Sequence, residues 1–309
     1  MKRPEEENAA RGLARGMRKL FSAILAAAIF LFTGAVPPQA RAKQPDADSA
    51  ADLKIVPEID AAFRLMYQLQ FAEARSTISA WQKHHADEAF GYAATAATYL
   101  FEELYLQGVF TSAFFLDDKR FLEGIEGRPA DERRKGFLDA VHRAQDLGRS
   151  RLAADANNAD ALFVLTISCG MLADYTSLIE KRHLAALKFV REAEDYSKRL
   201  LVVQPGMLDA YLALGTANYI IGSLPGYKQF FLRLGGIKGD RPRGMSQLEQ
   251  AARGGHYLQP FAKIMLALVS LREKQPERAR LLLSELSREF PTNPLFLKEL
   301  DLLTPKISR

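Results

Sequence analysis

Two pairs of neighbouring side chains have the types that acid–base or metal chemistry uses, His84-His85 and Asp117-Asp118. Adjacent histidines on a helix point about 100° apart and cannot easily share a metal ion, so we interpret them as cations near a helix C-terminus. The two carboxylates are followed directly by a lysine and an arginine, a pattern typical of an exposed, solvated turn. Neither pair predicts a catalytic or metal site.

A single cysteine and a glycine-rich segment are the remaining candidates for chemistry. Cys169 lies in an apolar run, residues 165–172, which predicts a buried structural thiol, and one cysteine excludes an intramolecular disulfide. Residues 235–244 are rich in glycine but lack the Lys-Ser/Thr pair of a phosphate-binding loop, so we predict a turn there. The chain also lacks the H-E-x-x-H and G-x-S-x-G motifs. We therefore expect a protein that is not an enzyme and carries no metal or cofactor.

The composition favours a globular chain that is all-helical. Of the 309 residues, 48% are hydrophobic and 26% charged, and alternating runs of β-branched residues are hard to find. The net charge of +5 is local, because residues 1–42 hold seven lysines and arginines against three glutamates and leave +1 for the rest. A nearly neutral body does not indicate a nucleic-acid partner.

The stretch 209–219 indicates how the helices are arranged. Tyr211, Leu214 and Gly215 place two large side chains on one face of a helix and a glycine beside them, with Tyr219 one turn further on. A glycine at this point lets a second, antiparallel helix approach closely. The pattern predicts a helical hairpin.

A recurring set of small residues extends this pattern along the chain. Four alanines are each followed twelve positions later by an alanine or a proline and six further on by a large side chain. The four frames are Ala74 with Ala86 and Tyr92, Ala144 with Ala156 and Leu162, Ala193 with Pro205 and Tyr211, and Ala279 with Pro291 and Leu297. We expect the four leading alanines to be buried where helices pair.

Over residues 58–303 these motifs resemble the tetratricopeptide-repeat (TPR) family. The resemblance implies an all-α, right-handed superhelix of about five hairpins, with insertions before residue 131, around residue 182 and over residues 226–244. Residues 222–225 and 236–241 are also similar to the tetratricopeptide repeat protein 39 family and to exported bacterial relatives of it. Both resemblances imply an interaction or scaffold role, without catalytic residues.

The N-terminal segment is typical of an exported protein. Residues 1–19 are basic, residues 20–36 are largely apolar, and Ala40-Arg41-Ala42 fits the small-x-small cleavage rule. We predict a signal peptide over residues 1–42, a flexible lead-in over residues 43–57 and a periplasmic protein. The alternative is an uncleaved inner-membrane anchor formed by residues 20–36. Residues 304–309 are expected to form a C-terminal tail.

The third insertion is the place where we expect specificity. An apolar stripe at helical spacing comprises Leu224, Tyr227, Phe230, Phe231 and Leu234, with Lys228 and Arg233 off the stripe and Lys238, Arg241 and Arg243 beyond it. Two readings stay open: the stripe is ordinary core, which we favour, or it docks a partner. The candidate binding residues are Tyr219, Tyr227, Lys228, Phe230, Phe231, Arg233, Lys238 and Arg241.

Three functions are consistent with these expectations. The first is an extracytoplasmic scaffold or adaptor that binds a protein partner in the concave face of the superhelix. The second is a soluble ligand-binding component of a membrane transport system, and the third is an assembly factor at the membrane surface. A closed apolar pocket would favour the second function, whereas an open groove would favour the first.

Overall fold

The computed structural model describes residues 55–303. Every regular element in this range is helical, with 14 α-helices, one five-residue π-helical turn and no strand, so the all-helical prediction is confirmed for it. The predicted signal peptide and tail, residues 1–42 and 304–309, lie outside the described residues, as does all of the lead-in except its last three residues.

The helices follow one another with short connections. They are α1 (Pro57–Tyr67), α2 (Phe71–Gln82), α3 (Ala89–Leu106), α4 (Ser112–Leu116), α5 (Asp118–Glu123), α6 (Asp131–Ala154), α7 (Ala159–Asp174), the π turn (Tyr175–Ile179), α8 (His183–Val203), α9 (Ala210–Ser223), α10 (Gly226–Leu234), α11 (Arg241–Gly254), α12 (Gln259–Arg272), α13 (Pro276–Glu289) and α14 (Pro294–Leu303).

The long helices pack as five pairs in chain order. α1 pairs with α2, α3 with α6, α7 with α8, α9 with α11, and α12 with α13, and α14 covers the end of the last pair. The second helix of each pair also contacts the first helix of the next pair. Two pairs are interrupted, the second by α4 and α5 and the fourth by α10.

The four leading alanines of the sequence frame lie in the contacts within and between these pairs. Ala74, Ala144 and Ala279 are fully buried and Ala193 is 3% exposed, so their expected burial is confirmed. Leu297, at the end of the last frame, is instead exposed on α14. α14 is the final described helix, and no further described pair packs over that side.

Gly215 of α9 lies where α11 approaches most closely. A Cβ atom added there would come within 2.8 Å of the Leu248 backbone nitrogen and 3.0 Å of the Gly244 carbonyl oxygen. Because backbone atoms cannot give way as a flexible side chain does, only glycine allows this spacing. The predicted role of Gly215 in helix approach is confirmed.

One predicted boundary is wrong. Residues 235–244 were expected to form a turn throughout, but α11 begins at Arg241. The Asp240 side chain accepts a hydrogen bond from the Arg243 backbone N–H at 3.0 Å, and Pro242 occupies the first helical turn. An aspartate cap followed by proline is a strong start signal, and it outweighs the nearby glycines.

An aromatic cluster occupies the inner side of the stacked pairs, where first helices meet. The ring of Tyr257, just before α12, lies 5.3 Å from that of Phe63 in α1 and 4.8 Å from that of Phe90 in α3. It also lies 6.3 Å from the ring of Phe163 in α7. The side on which a partner was expected to bind is therefore packed with rings contributed by the protein itself.

The first and last pairs are joined directly. The Tyr67 hydroxyl donates to the Tyr257 carbonyl oxygen at 2.9 Å, and the Asn293 amide donates to the Tyr67 carbonyl oxygen at 2.8 Å. Arg64 of α1 also lies 3.7 Å from the Glu289 carboxylate of α13. These contacts link the first and last described helix pairs directly.

Candidate docking surface

The helix α10 carries its apolar side chains on the outside of the protein. No residue of α10 is buried, and the exposed fractions are 65% for Tyr227, 58% for Phe230, 49% for Phe231 and 65% for Leu234. The preferred reading of this stripe as ordinary core is therefore wrong for these four residues. We call Tyr227, Phe230, Phe231 and Leu234, with the basic residues Lys228, Arg233 and Lys238, the α10 surface.

Polar bonds and one flanking isoleucine attach α10 to the body. The Gln229 amide donates to the carbonyl oxygens of Gly222 at 2.9 Å and Leu224 at 2.7 Å. The Arg191 guanidinium of α8 donates to the Gly235 carbonyl oxygen, and Ile237 is 8% exposed. The face of α10 that carries Gln229 is thus bound inward, which leaves the aromatic face outward.

Local sequence determines both ends of α10. Pro225 precedes its first turn, and the Pro225 carbonyl oxygen accepts from the Lys228 backbone N–H at 2.9 Å. Gly236 follows the helix with φ of +78°, a conformation that glycine adopts without strain. These flanking residues therefore limit the helix to nine residues.

The surroundings of α10 are positively charged. Lys228, Arg233 and Lys238 are exposed, and the sequence contains no acidic residue between Asp209 and Asp240. The same excess acts on a neighbour, because partial burial and then the charges of Lys228 and Lys181 lower the pKa of His183. The basic residues of the α10 surface are therefore not opposed by acidic residues of their own segment.

Two of the predicted binding residues, Tyr219 and Arg241, are not part of the α10 surface. Tyr219 is 1% exposed and its hydroxyl donates to the Glu273 carboxylate at 2.8 Å, and Arg241 forms an ion pair with the same carboxylate. Burial and this hydrogen bond raise the pKa of Tyr219 to about 12. Burial alone would raise the pKa of Glu273, but the bonds from Arg241 and Tyr219 lower it. The two residues fasten α9 and α11 to the end of α12.

Sequence reasoning did not identify Leu184, which is 82% exposed at the start of α8. The charge of Lys228 acts on His183, the neighbour of Leu184. Two turns further along α8, Arg191 donates a hydrogen bond to the end of α10. Leu184 therefore lies on the helix half that flanks the α10 surface. An isolated leucine after three basic residues was its only signal in the sequence.

Cys169 is fully buried between α6 and α8, as the sequence predicts. The Gln145 amide lies 3.4 Å from its sulfur, which lies 3.6 Å from a Glu192 carboxylate oxygen. Burial, followed by the negative charge of Glu192, raises the pKa of the thiol to about 12. The protonated thiol is a poor nucleophile at neutral pH.

The histidine and aspartate pairs have structural contacts of their own. His85 stacks on Trp81 with ring centres 4.3 Å apart. The Asp117 side chain caps α5, and Asp118 lies 2.7 Å from the Arg272 guanidinium. Within residues 55–303, no group of three or more His, Cys, Asp or Glu side chains is arranged to hold a metal ion.

Two concave regions differ greatly in size. An apolar cavity beside Phe110 and Phe296 measures about 10 Å³, room for little more than one water molecule. A cleft of about 370 Å³ lies at the surface where α1, α3 and α7 begin, lined by Trp81, His85, Glu88, Phe90, Arg151 and Asp160 among others. The cleft has the size of a small-ligand site, and its lining is largely apolar with a few charged groups.

One helical stretch, Ala159–Ile179, is long and apolar enough by length and composition to cross a membrane. Within its most apolar window, 72% is buried inside the fold, as in the core helix of a globular protein. This is weak evidence for a membrane span.

A comparison of the chain with protein-family models matches none of them, and a comparison with curated proteins gives no match either.

Proposed function

We propose that this chain is a non-enzymatic, extracytoplasmic adaptor that docks to its partner through the α10 surface. One observation carries the proposal: four large apolar side chains of a short helix face solvent above well-packed helical pairs. The inner side, the expected binding face, is filled by the Tyr257 cluster. Docking therefore belongs to the outer face.

The proposal includes a TPR-like superhelix as the rigid platform. Five helix pairs in chain order, buried alanines at the predicted frame positions and the close approach at Gly215 support this assignment. Repeats stacked in this way supply a stiff support for insertions that carry recognition. α10 is such an insertion, within the fourth pair.

The energetics of exposure favour a docking role. Burying one phenylalanine or leucine side chain contributes about 1.5 to 3 kcal/mol, and the four large side chains of the α10 surface, 49% to 65% exposed, leave much of that gain unused. Clustered exposed apolar residues mark interaction sites, and aromatic residues dominate the centres of such sites. The bonds of Gln229 hold the stripe outward before any partner arrives, which lowers the ordering cost of binding.

Site-specific photo-crosslinking in the native cell tests the proposal. A photoreactive residue at Phe230, 58% exposed, is compared with one at Leu281, 59% exposed on α13. We expect covalent adducts, with a protein or with lipid, from position 230 and not from position 281. Absence of adducts at position 230, or equal labelling at both positions, would contradict the docking role.

Export is tested by the N-terminus of the protein recovered from its native cell. Cleavage after Ala42 leaves Lys43 as the first residue. N-terminal sequencing or intact mass checks this expectation. A protein that retains residues 20–36 embedded in the membrane would identify the segment as an anchor instead.

A further inference from the structure

We infer that the α10 surface docks onto an anionic lipid membrane, so that α10 is an interfacial helix. This inference rests on the proposed docking function and names its target. A short helix with an aromatic and leucine face, a polar face and flanking basic residues is the pattern of a helix that lies in the headgroup region. α10 has each of these features, and its aromatic face is already outward.

The positive charge around α10 favours an anionic membrane over other apolar surfaces as its target. Lys228, Arg233 and Lys238 surround the stripe, and the 30 residues between Asp209 and Asp240 include no carboxylate to oppose them. A second copy of the chain docked through the same surface would bring these cations together, which opposes a homodimer. An anionic leaflet attracts them, with each lysine or arginine near the surface contributing to binding.

Shape also favours a lipid surface over a protein groove. Nine residues of helix span about 13 Å, and the four apolar side chains lie within its two turns. Such a stripe can enter the headgroup boundary to a depth of about 5 to 10 Å while the body stays outside it. Tyr227 has an apolar ring and a polar tip, the combination that is enriched at membrane interfaces.

A single-site dye reports whether α10 enters lipid. Because Cys169 is buried with a pKa of about 12, a surface cysteine can be labelled selectively. The exported chain, as isolated from its native cell, carries an environment-sensitive dye at Leu234→Cys or at the control position Leu281→Cys, 65% and 59% exposed in the native protein. Each is mixed with phosphatidylcholine vesicles, with or without phosphatidylglycerol.

We expect a blue shift at position 234 with vesicles that contain phosphatidylglycerol, a much smaller one with phosphatidylcholine alone, and none at position 281. High salt should weaken the response, because it screens the basic residues. Free glycerol phosphate should not produce the shift, since it offers charge without an acyl boundary.

Charge variants supply the matched control. Lys228→Gln with Arg233→Gln should weaken partitioning about 30-fold, at about fivefold for each basic residue near the membrane. Lys83→Gln with Lys135→Gln makes the same change in net charge at exposed lysines of the first two helix pairs and should leave partitioning within about twofold. Equal losses in the two pairs would show attraction by overall charge and overturn the role of α10.

The outcomes separate this inference from the proposed function. No shift at position 234 with anionic vesicles, or the same shift at position 281, overturns membrane docking. If position 230 nevertheless crosslinks to a protein in the cell, docking through α10 stands and its target is that protein. If neither experiment gives a signal at α10, both proposals fail.

Discussion

Of the three insertions expected from the sequence, two interrupt helix pairs with extra helices, and these two inserts have similar aromatic content but differ in burial. The first insert, residues 107–130, buries Phe110, Phe114 and Phe115, each 4% exposed. The second insert, residues 224–240, leaves Phe230 and Phe231 at 58% and 49% exposure. Aromatic content therefore predicts neither core nor surface in an insertion. Whether the aromatic side chains of an insert are buried depends on how many other helices pack against it.

Distant contacts hold the first insert. The Ser112 backbone N–H donates to the Glu299 carboxylate of α14 at 3.1 Å, and Arg272 of α12 donates to the Phe115 carbonyl oxygen at 2.6 Å. In the described contacts the second insert bonds to nearby parts of the body, through Gln229, Arg191 and the Asp240 backbone N–H, which donates to the Asn218 carbonyl oxygen. The first insert thus bridges the ends of the fold, whereas the second rests on one side of it.

The largest expected effect distinguishes the two inserts by stability. Phe114→Ala removes a buried ring and should lower the free energy of unfolding by about 3 to 5 kcal/mol. Phe230→Ala removes an exposed ring and should change it by about 0.5 kcal/mol or less. Urea denaturation of both variants measures the difference. Similar losses would show that the second insert is core after all.

The partly buried carboxyl of Asp174, near the first insert, should make stability depend on pH. Asp174 ends α7, where the π turn begins, and the Ile125 N–H of the first insert donates to the Leu178 carbonyl oxygen of that turn at 3.0 Å. Burial raises the pKa of Asp174 to about 7. The folded protein then favours the protonated carboxyl, a contribution that is complete below pH 4 and lost as the pH rises through 7.

Asp174→Asn keeps the shape of the side chain and removes the loss of stability at high pH. We expect the variant to be more stable than the parent by up to about 4 kcal/mol at pH 8 and nearly unchanged at pH 4, since each pKa unit corresponds to about 1.4 kcal/mol. Thermal unfolding across this pH range measures it, with exposed Asp195→Asn as the control. A gain that is equal at both pH values would contradict the assignment to this carboxyl.

The platform beneath the second insert is tested at Ala193, on the same helix as Arg191. A leucine at this 3% exposed position should overpack the contact and lower stability by about 1 to 3 kcal/mol. Leu184→Ala, on the exposed part of the same helix, is the control and should have little effect. An unchanged melting temperature for Ala193→Leu would show that the repeat frame is wrong there.

The smallest expected effect concerns the fastening at the base of the second insert. Tyr219→Phe removes the hydrogen bond to Glu273 and should cost about 1 kcal/mol, because Arg241 still pairs with the carboxylate. Tyr227→Phe, at a 65% exposed tyrosine, should leave stability unchanged. If Tyr219→Phe instead abolishes docking while the fold stays intact, Tyr219 belongs to the binding site.

Local sequence was sufficient for the helices and much of their pairing. Helical periodicity predicted the all-helical chain, and the frame alanines proved buried. Asn158 precedes α7, and its side chain caps the helix by accepting from the Ala161 backbone N–H at 2.9 Å. These features depend on neighbours within a few turns, where spacing along the chain specifies spacing in the structure.

Tertiary structure decided the rest, because burial depends on elements that arrive from elsewhere in the chain. Tyr219 and Phe230 lie eleven residues apart, yet Glu273 and Arg241 enclose the first while no described helix covers the second. The joining of α1 to α13 through Arg64 and Glu289 crosses more than 200 residues. A stripe of apolar residues predicts that one face of the helix is buried away from water. Only the folded chain determines whether the protein itself covers that face.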